Sequence, residues 1–268
     1  MRCLFYKDIM YKLTRIRGNT YTVTVNGTDT GIYRFGRRTA VLIDSGYYEN
    51  EDFIDFLKKE GIEPAAVIQT HLHIDHIGYN DLLRGEFDCD IYAPEVEIEH
   101  ELDREYDFPY DIRVNPNEGF IDISGQKFEI VSIPGHSEGH QAVVTPDGVC
   151  FLGDALMSED ILNQTKMPYH FEMGRTLKSM AKIREMDYEV YVLSHRGCLT
   201  GEELVKAVDA NLAKEKDFSR RIRKLNNKKI SDDKLAMIFM KEIRISKEKM
   251  DLDWVYETAM ARVKEYRR

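Results

Sequence analysis

Along the first 200 residues, short β-branched and apolar runs alternate with segments whose apolar positions recur at helical spacing. Residues 21–25 and 39–43 read as strands, with turns marked by Asn26-Gly27 and Asp44-Ser45-Gly46. Over 51–60, Phe53, Ile54, Phe56 and Leu57 share one helical face, and Gly61 ends that helix. Residues 65–70 form another apolar strand that runs directly into His71. The texture then repeats. Residues 127–133 alternate into a strand ending at Pro134-Gly135-His136, and 149–152 lead into Gly153-Asp154. A helix is predicted over 174–186, and the strand 190–193 ends in Ser194-His195. Strand ends hold side chains on a rigid frame at one sheet edge, where chemistry is usually built.

After Gly201 the pattern changes to long helical periodicity with almost no turn signals. Leu204, Val208 and Leu212, then Leu235, Ile238 and Phe239, then Trp254, Val255, Ala259 and Val263 fit helical faces. About three helices are expected, the second starting at Ser231 with Asp232 and Asp233 in its first turn. Met237, Met240 and Met250 are expected as core filler. No period of 20 to 50 residues recurs, which excludes solenoids and propellers. The expected division is a domain at 1–200 and a helical extension at 201–268.

Composition narrows the class. The chain has 268 residues, 43% hydrophobic, enough for a sizeable core. No segment approaches the roughly 18 apolar residues of a membrane helix. Charges interrupt residues 1–18, leaving no secretory apolar region, so a cytoplasmic protein is expected. Cys3, Cys89, Cys150 and Cys198 are far apart and form no C-x-x-C pair, as ordinary core or strand-end thiols do. The net charge of −9 is uneven, −14 over 1–200 and +5 over 201–268. The acidic portion repels polyanions and suits a small-molecule substrate. The basic stretch over 214–229 reads as a solvated helix face.

The chemistry is concentrated in His71-Leu72-His73-Ile74-Asp75-His76. In an extended segment, residues i and i+2 point the same way, so His71 and His73 can grip one ion. Asp75 and His76 follow at the turn into the next helix and can reach a second position. Leu72 and Ile74 alternate with them and are expected to anchor the loop in the core. Three His and an Asp in six residues have no economical structural explanation, because several titratable groups would be crowded without a partner.

This segment resembles the H-x-H-x-D-H signature of the metallo-β-lactamase superfamily. Pro134-Gly135-His136-Ser137-Glu138-Gly139-His140 is similar to that family's P-G-H-[ST]-x-G-H segment, Gly153-Asp154 to its G-D strand end, and Ser194-His195 to its final histidine. The resemblance implies an α+β fold, a four-layer αββα sandwich. It also implies a ligand set of His71, His73 and His136 on one divalent ion and Asp75, His76 and His195 on a second, with Asp154 shared. Zinc is the default for so much imidazole, and iron or manganese accept the same ligands. His140 matches a position that holds a ligand or its loop by hydrogen bonding. His100 reads as a surface residue, and His170 as a loop residue near the cleft.

The function implied is that of a metal-dependent hydrolase using a metal-bridging hydroxide, with Asp75 steering the nucleophile and shuttling its proton. Asp154 resembles the bridging residue of glyoxalase II, lactonases and ribonuclease Z, and Gly139-His140-Gln141 the G-H-Q run of lactonases. The expected substrate is therefore a carboxylic ester, lactone or thioester. The alternative is a phosphodiesterase or nuclease of the same superfamily, for which Lys166, Arg175 or Arg196 would have to clamp phosphate. Specificity is expected in the loops 102–118 and 158–173. Neither nucleic acid nor membrane is an expected partner, and the surplus of apolar helical face leaves room for a homodimer.

Overall fold

The computed structural model describes residues 11–101, 110–165, 172–195, 197–226, 230–241 and 252–267. Of His100, Glu101, Gln164, Thr165, Asn226, residues 252–255, Glu257 and Arg267 only the backbone is described, which leaves the side chains of His100 and Trp254 aside. Cys3, Lys166, His170, Arg196 and Met250 lie outside the described residues, as do 102–109 and 166–171 of the two specificity loops.

The chain opens with β1 (Thr14–Arg17), β2 (Thr20–Val25), β3 (Thr28–Arg34) and β4 (Thr39–Ile43). There follow α1 (Asp52–Lys59), β5 (Glu63–Ile68), α2 (Ile74–Ile77), α3 (Asn80–Phe87), β6 (Asp90–Pro94), α4 (Glu95–Glu101) and β7 (Ile112–Val114). These seven strands form one sheet in chain order, antiparallel through β4 and parallel from β4 to β7. The second sheet takes β8 (Phe120–Ile123), β9 (Gln126–Ser132), β10 (Gln141–Val144) and β11 (Val149–Phe151). After α5 (Glu159–Thr165) and α6 (Met173–Arg184) it gains β12 (Val190–Val192), parallel to β11, and β13 (Cys198–Leu199). The chain closes with α7 (Gly201–Asn226), α8 (Asp232–Met240) and α9 (Leu252–Arg267).

The layering follows from strands that are apolar on both faces. In β4, Ala40 and Leu42 pack outward with Phe53, Ile54 and Leu57 of α1 and Leu83 of α3. Val41 and Ile43 point the other way and meet Phe128, Ile130, Val143 and Phe151 of the second sheet. The far face of that sheet carries Val131, Ala142, Val144 and Tyr191, covered by Met180 and Ile183 of α6 and Leu204 and Val208 of α7. The order is helix, sheet, sheet, helix: the αββα sandwich. Beyond it, Phe218 and Ile222 of α7 close a separate core with Leu235 and Phe239 of α8 and Ala259 and Val263 of α9. Of the apolar helical positions that suggested a second subunit, Leu204, Val208, Leu235, Phe239, Ala259 and Val263 are covered within the chain, and the side chains of Trp254 and Val255 lie outside those described.

Two packing expectations are corrected. Leu72 is buried, but Ile74 is 65% exposed. Strand-like alternation ends at His73, because Ile74 opens α2 and lies on that helix's outer face. Met237 is likewise 45% exposed, since the buried face of α8 is formed by Leu235, Ala236 and Phe239. Ser231 caps α8, its side chain accepting from Lys234 N–H.

Candidate metal centre

Five strand ends from both sheets meet at one edge of the sandwich. β4 runs into Asp44, β5 into Thr70 and His71, β9 into the loop carrying His136, β11 into Asp154, and β12 into His195. All seven expected site residues converge there in two groups, with candidate ligand atoms within 4.8 Å of one another inside each group. One is His71, His73 and His136, and the other is Asp75, His76, Asp154 and His195.

In the first group, His73 Nδ1 lies 3.0 Å from His71 Nε2 and 2.9 Å from His136 Nε2. Tetrahedral zinc, with Zn–N bonds of about 2.0–2.1 Å, holds its nitrogens about 3.3 Å apart, close to this spacing. Burial, reinforced by the neighbouring imidazoles, pushes the His71 pKa well down, and burial with His136 brings His73 to about 3. Both shifts favour the neutral form of His71 and His73, which offers a lone pair.

The second group is polar and charged. Asp154 stands between the two groups, with Oδ1 3.6 Å from His76 Nε2 and Oδ2 3.3 Å from His195 Nε2 and 3.6 Å from His136 Nε2. Asp75 Oδ2 lies 3.3 Å from His195 Nε2 and 3.7 Å from His76 Nε2. Burial opposes charge here, yet the histidines hold both carboxyls below their usual range. Burial likewise opposes the charged imidazoles, but Asp44, Asp75 and Asp154 raise His76 to about 10, and Asp154 and Asp75 raise His195. His76 Nε2 and Asp154 Oδ1 are nevertheless buried without a hydrogen-bond partner. Unpartnered buried polar atoms are costly, and a cation between them would satisfy both. The donor set therefore fits divalent metal.

Surrounding groups fix which nitrogen faces inward. Asp44 Oδ2 accepts from His76 Nδ1 at 2.8 Å, leaving Nε2 toward the site. The same carboxylate accepts from Thr70 N–H at 2.7 Å and from Thr70 Oγ1 at 2.8 Å. With its hydrogen thus committed, Thr70 Oγ1 can only accept from His71 Nδ1, 3.0 Å away, which turns the His71 Nε2 lone pair inward. His195 Nδ1 donates to Gly27 O at 3.1 Å, so the β2–β3 hairpin tip orients the last histidine. His140, as expected, acts on the loop: its Nε2 accepts from Asp154 N–H at 3.1 Å. Gly153 has φ +53°, and a Cβ there would stand 2.6 Å from His140 Nε2 and 2.8 Å from Thr70 Oγ1.

Asp44, Thr70 and Gly27 were not anticipated as part of the site. Asp44-Ser45-Gly46 reads as a turn in sequence, and only the apolar strand directly before it hints that the carboxylate is buried. Arg175 pairs with Glu138 at 3.2 Å and Glu172 at 2.9 Å, so its charge is already committed.

The sequence profile described as the metallo-beta-lactamase superfamily matches residues 23–195. The chain belongs to this superfamily. The match starts within β2 and ends on His195, so it spans both sheets and every residue of the centre. Among curated proteins, a hydroxyacylglutathione hydrolase of Chromohalobacter salexigens is 30% identical over 120 residues, 44% of this chain and 43% of that protein. A Beta-lactamase-like protein 2 homolog of Drosophila melanogaster is 30% identical over 163 residues, 54% of this chain and 52% of the other. The chain thus spans about half the length of these relatives. Among solved structures, a metallo-beta-lactamase family protein from Thermus thermophilus superposes with TM-score 0.67 at 15% identity, covering 96% of this chain and 91% of that one. The superfamily's sandwich is the fold seen here.

Proposed function

We propose that this chain is a metal-dependent hydrolase that holds two divalent ions, zinc by default, and cleaves a carboxylic ester, lactone or thioester. The observation that carries the reading is the paired donor set with two buried atoms that lack a hydrogen-bond partner, His76 Nε2 and Asp154 Oδ1, 3.6 Å apart. His71, His73 and His136 would hold one ion, Asp75, His76 and His195 the other, and Asp154 both. When bound, such ions lower the pKa of water toward ~7 and polarise a carbonyl oxygen. The protein's own residues supply the rest. Asp44, Thr70 and Gly27 keep three imidazoles in the tautomer that presents Nε2. Asp75 is the more accessible carboxylate, its side chain 33% exposed against 8% for Asp154, and we assign it the proton taken from attacking water and returned to the leaving group.

Substrate class rests on three supports. Hydroxyacylglutathione, in the name of several relatives, is a thioester. The first 200 residues carry a net −14, unfavourable to polyanions. Arg175 is already bound by two glutamates, which removes one candidate phosphate clamp. On this reading residues 1–200 carry the chemistry and 201–268 add a helical wall. Among the described residues no helix is long and apolar enough to cross a membrane.

The test pairs metal analysis with a panel of chromogenic esters, lactones and thioesters and bis(p-nitrophenyl) phosphate. Two metals per chain and preferred turnover of a carbonyl substrate are expected. A chain saturating at one metal, or turning over the phosphodiester faster than every carbonyl compound, would overturn the assignment. Asp75→Asn should lower kcat by about 10²-fold or more, the usual worth of a positioned proton carrier.

A further inference from the structure

His136 is presented by a loop tied on one side to α4, where Glu97 Oε1 accepts from Gly139 N–H at 2.6 Å, and on its Pro134–Gly135 side to α6. Ser179 Oγ donates to Pro134 O at 2.6 Å, and Glu172 N–H donates to Gly135 O at 3.3 Å. Gly135 has φ +141°, and a Cβ there would stand 2.7 Å from Thr176 Cα and 2.8 Å from Thr176 N. The first turns of α6 thus touch the loop through backbone, and a shift of α6 must move Pro134 and Gly135, next to His136.

The start of α6 is secured from outside the sandwich. Its N-cap Glu172 makes no side-chain cap hydrogen bond. Instead, both carboxylate oxygens of Glu265, on α9, accept from Met173 N–H, at 2.9 and 3.0 Å. A carboxylate at this end also meets the positive pole of the helix dipole. Glu265 is held in turn by Arg262 Nη1 at 2.8 Å. Arg262 is fully buried, pairs with the buried Glu215 of α7, and places Nη2 3.7 Å from Met173 Sδ. A buried ion pair adds little net stability over apolar packing but fixes geometry, because removing one partner strands the other. Here it sets one arrangement of α6, α7 and α9.

We propose that Glu265, oriented by Arg262, is a positioning residue for the three-histidine group: α9 caps α6 from the side, and α6 sets the loop that presents His136. The inference rests on the assignment of His136 as a ligand. Groups supporting a metal ligand commonly change affinity 10–100-fold when lost, and an indirect one belongs at the lower end, about tenfold.

The full chain is compared as wild type, Glu265→Ala, Glu265→Gln and Tyr256→Phe. Tyr256 donates to Asp233 at 2.7 Å between α9 and α8, so its removal loosens α9 without touching α6. In metal-free protein, amide exchange should quicken about tenfold at Met173, Glu172 and Gly135 in Glu265→Ala, and about threefold in Glu265→Gln, whose amide oxygen still accepts, while Gly139, held by Glu97 of α4, should change less. With Co2+ as probe, the Glu265→Ala chain should bind one ion about tenfold more weakly and show an altered visible d–d band. Glu265→Gln should restore most of both, and Tyr256→Phe should match wild type. Should Glu265→Ala fail to fold, the threefold change in Glu265→Gln carries the test. Faster exchange confined to Met173, or equal effects from Tyr256→Phe, overturns the proposal. If His136→Ala takes up cobalt as wild type does, the ligand assignment falls instead, while the metal-free exchange comparison still decides the positioning role.

Discussion

Asp44→Asn isolates the orientation of the centre from its fold. Asparagine has the same shape and tolerates the left-handed backbone at this position, φ +59°. Three hydrogen bonds are at stake, from Thr70 N–H, Thr70 Oγ1 and His76 Nδ1. Asparagine keeps one oxygen for Thr70 N–H, but its amide nitrogen then faces two groups that now donate. For the neutral ring that a metal requires, relief moves the His76 proton from Nδ1 to Nε2, the atom that points at Asp75 and Asp154. A ligand in the wrong tautomer should cost 10–100-fold in affinity for the second ion, about 1.4–2.7 kcal/mol. Losing charge-assisted bonds should also destabilise the metal-free protein by about 2–3 kcal/mol. Chelator competition measures the first quantity and denaturant unfolding of metal-free protein the second. If Asp44→Asn binds both ions within twofold of wild type, His76 is not oriented as argued.

Gly153→Ala should destabilise the protein by about 2–4 kcal/mol, since the residue needs φ +53° and its Cβ would strike His140 and Thr70; thermal melts and metal content should fall together. Asp154→Ala should lower occupancy at both ions rather than one, read by elemental analysis after dialysis. Saturating metal at about 1,000 times Kd should stabilise the folded chain by about 4 kcal/mol, and a chelator should remove that increment in a melt. Phe128→Ala, deep between the sheets, should cost about 3–5 kcal/mol while leaving metal stoichiometry unchanged in the folded fraction.

The strands and helices visible in sequence were those with strong periodicity. Residues 39–43 match β4 to the residue, and the apolar face and Gly61 stop of α1 stand where expected. Short strands such as β7, β10 and β13 are two to four residues long and owe their state to pairing with neighbours, which no local pattern records. The seven converging donors were legible because their residue types are improbable without a ligand. Asp44 was not, since a buried aspartate and a turn aspartate look alike until the fold shows what surrounds them. Ile74 failed for a related reason: two-residue alternation was extended one position beyond the point where the chain turns helical. The link from Glu265 to Met173 joins residues 92 apart and leaves no trace in either segment.

The order of the donors along the chain bears on biogenesis. His71, His73, Asp75 and His76 follow β5 of the first sheet, whereas His136, Asp154 and His195 follow strands of the second. Neither group is complete within one half. A nascent chain that has made only the first sheet exposes four donors without the partners that close either set, and the second group waits for His195. On the proposed ligand assignment, neither ion could be fully held before the two sheets meet.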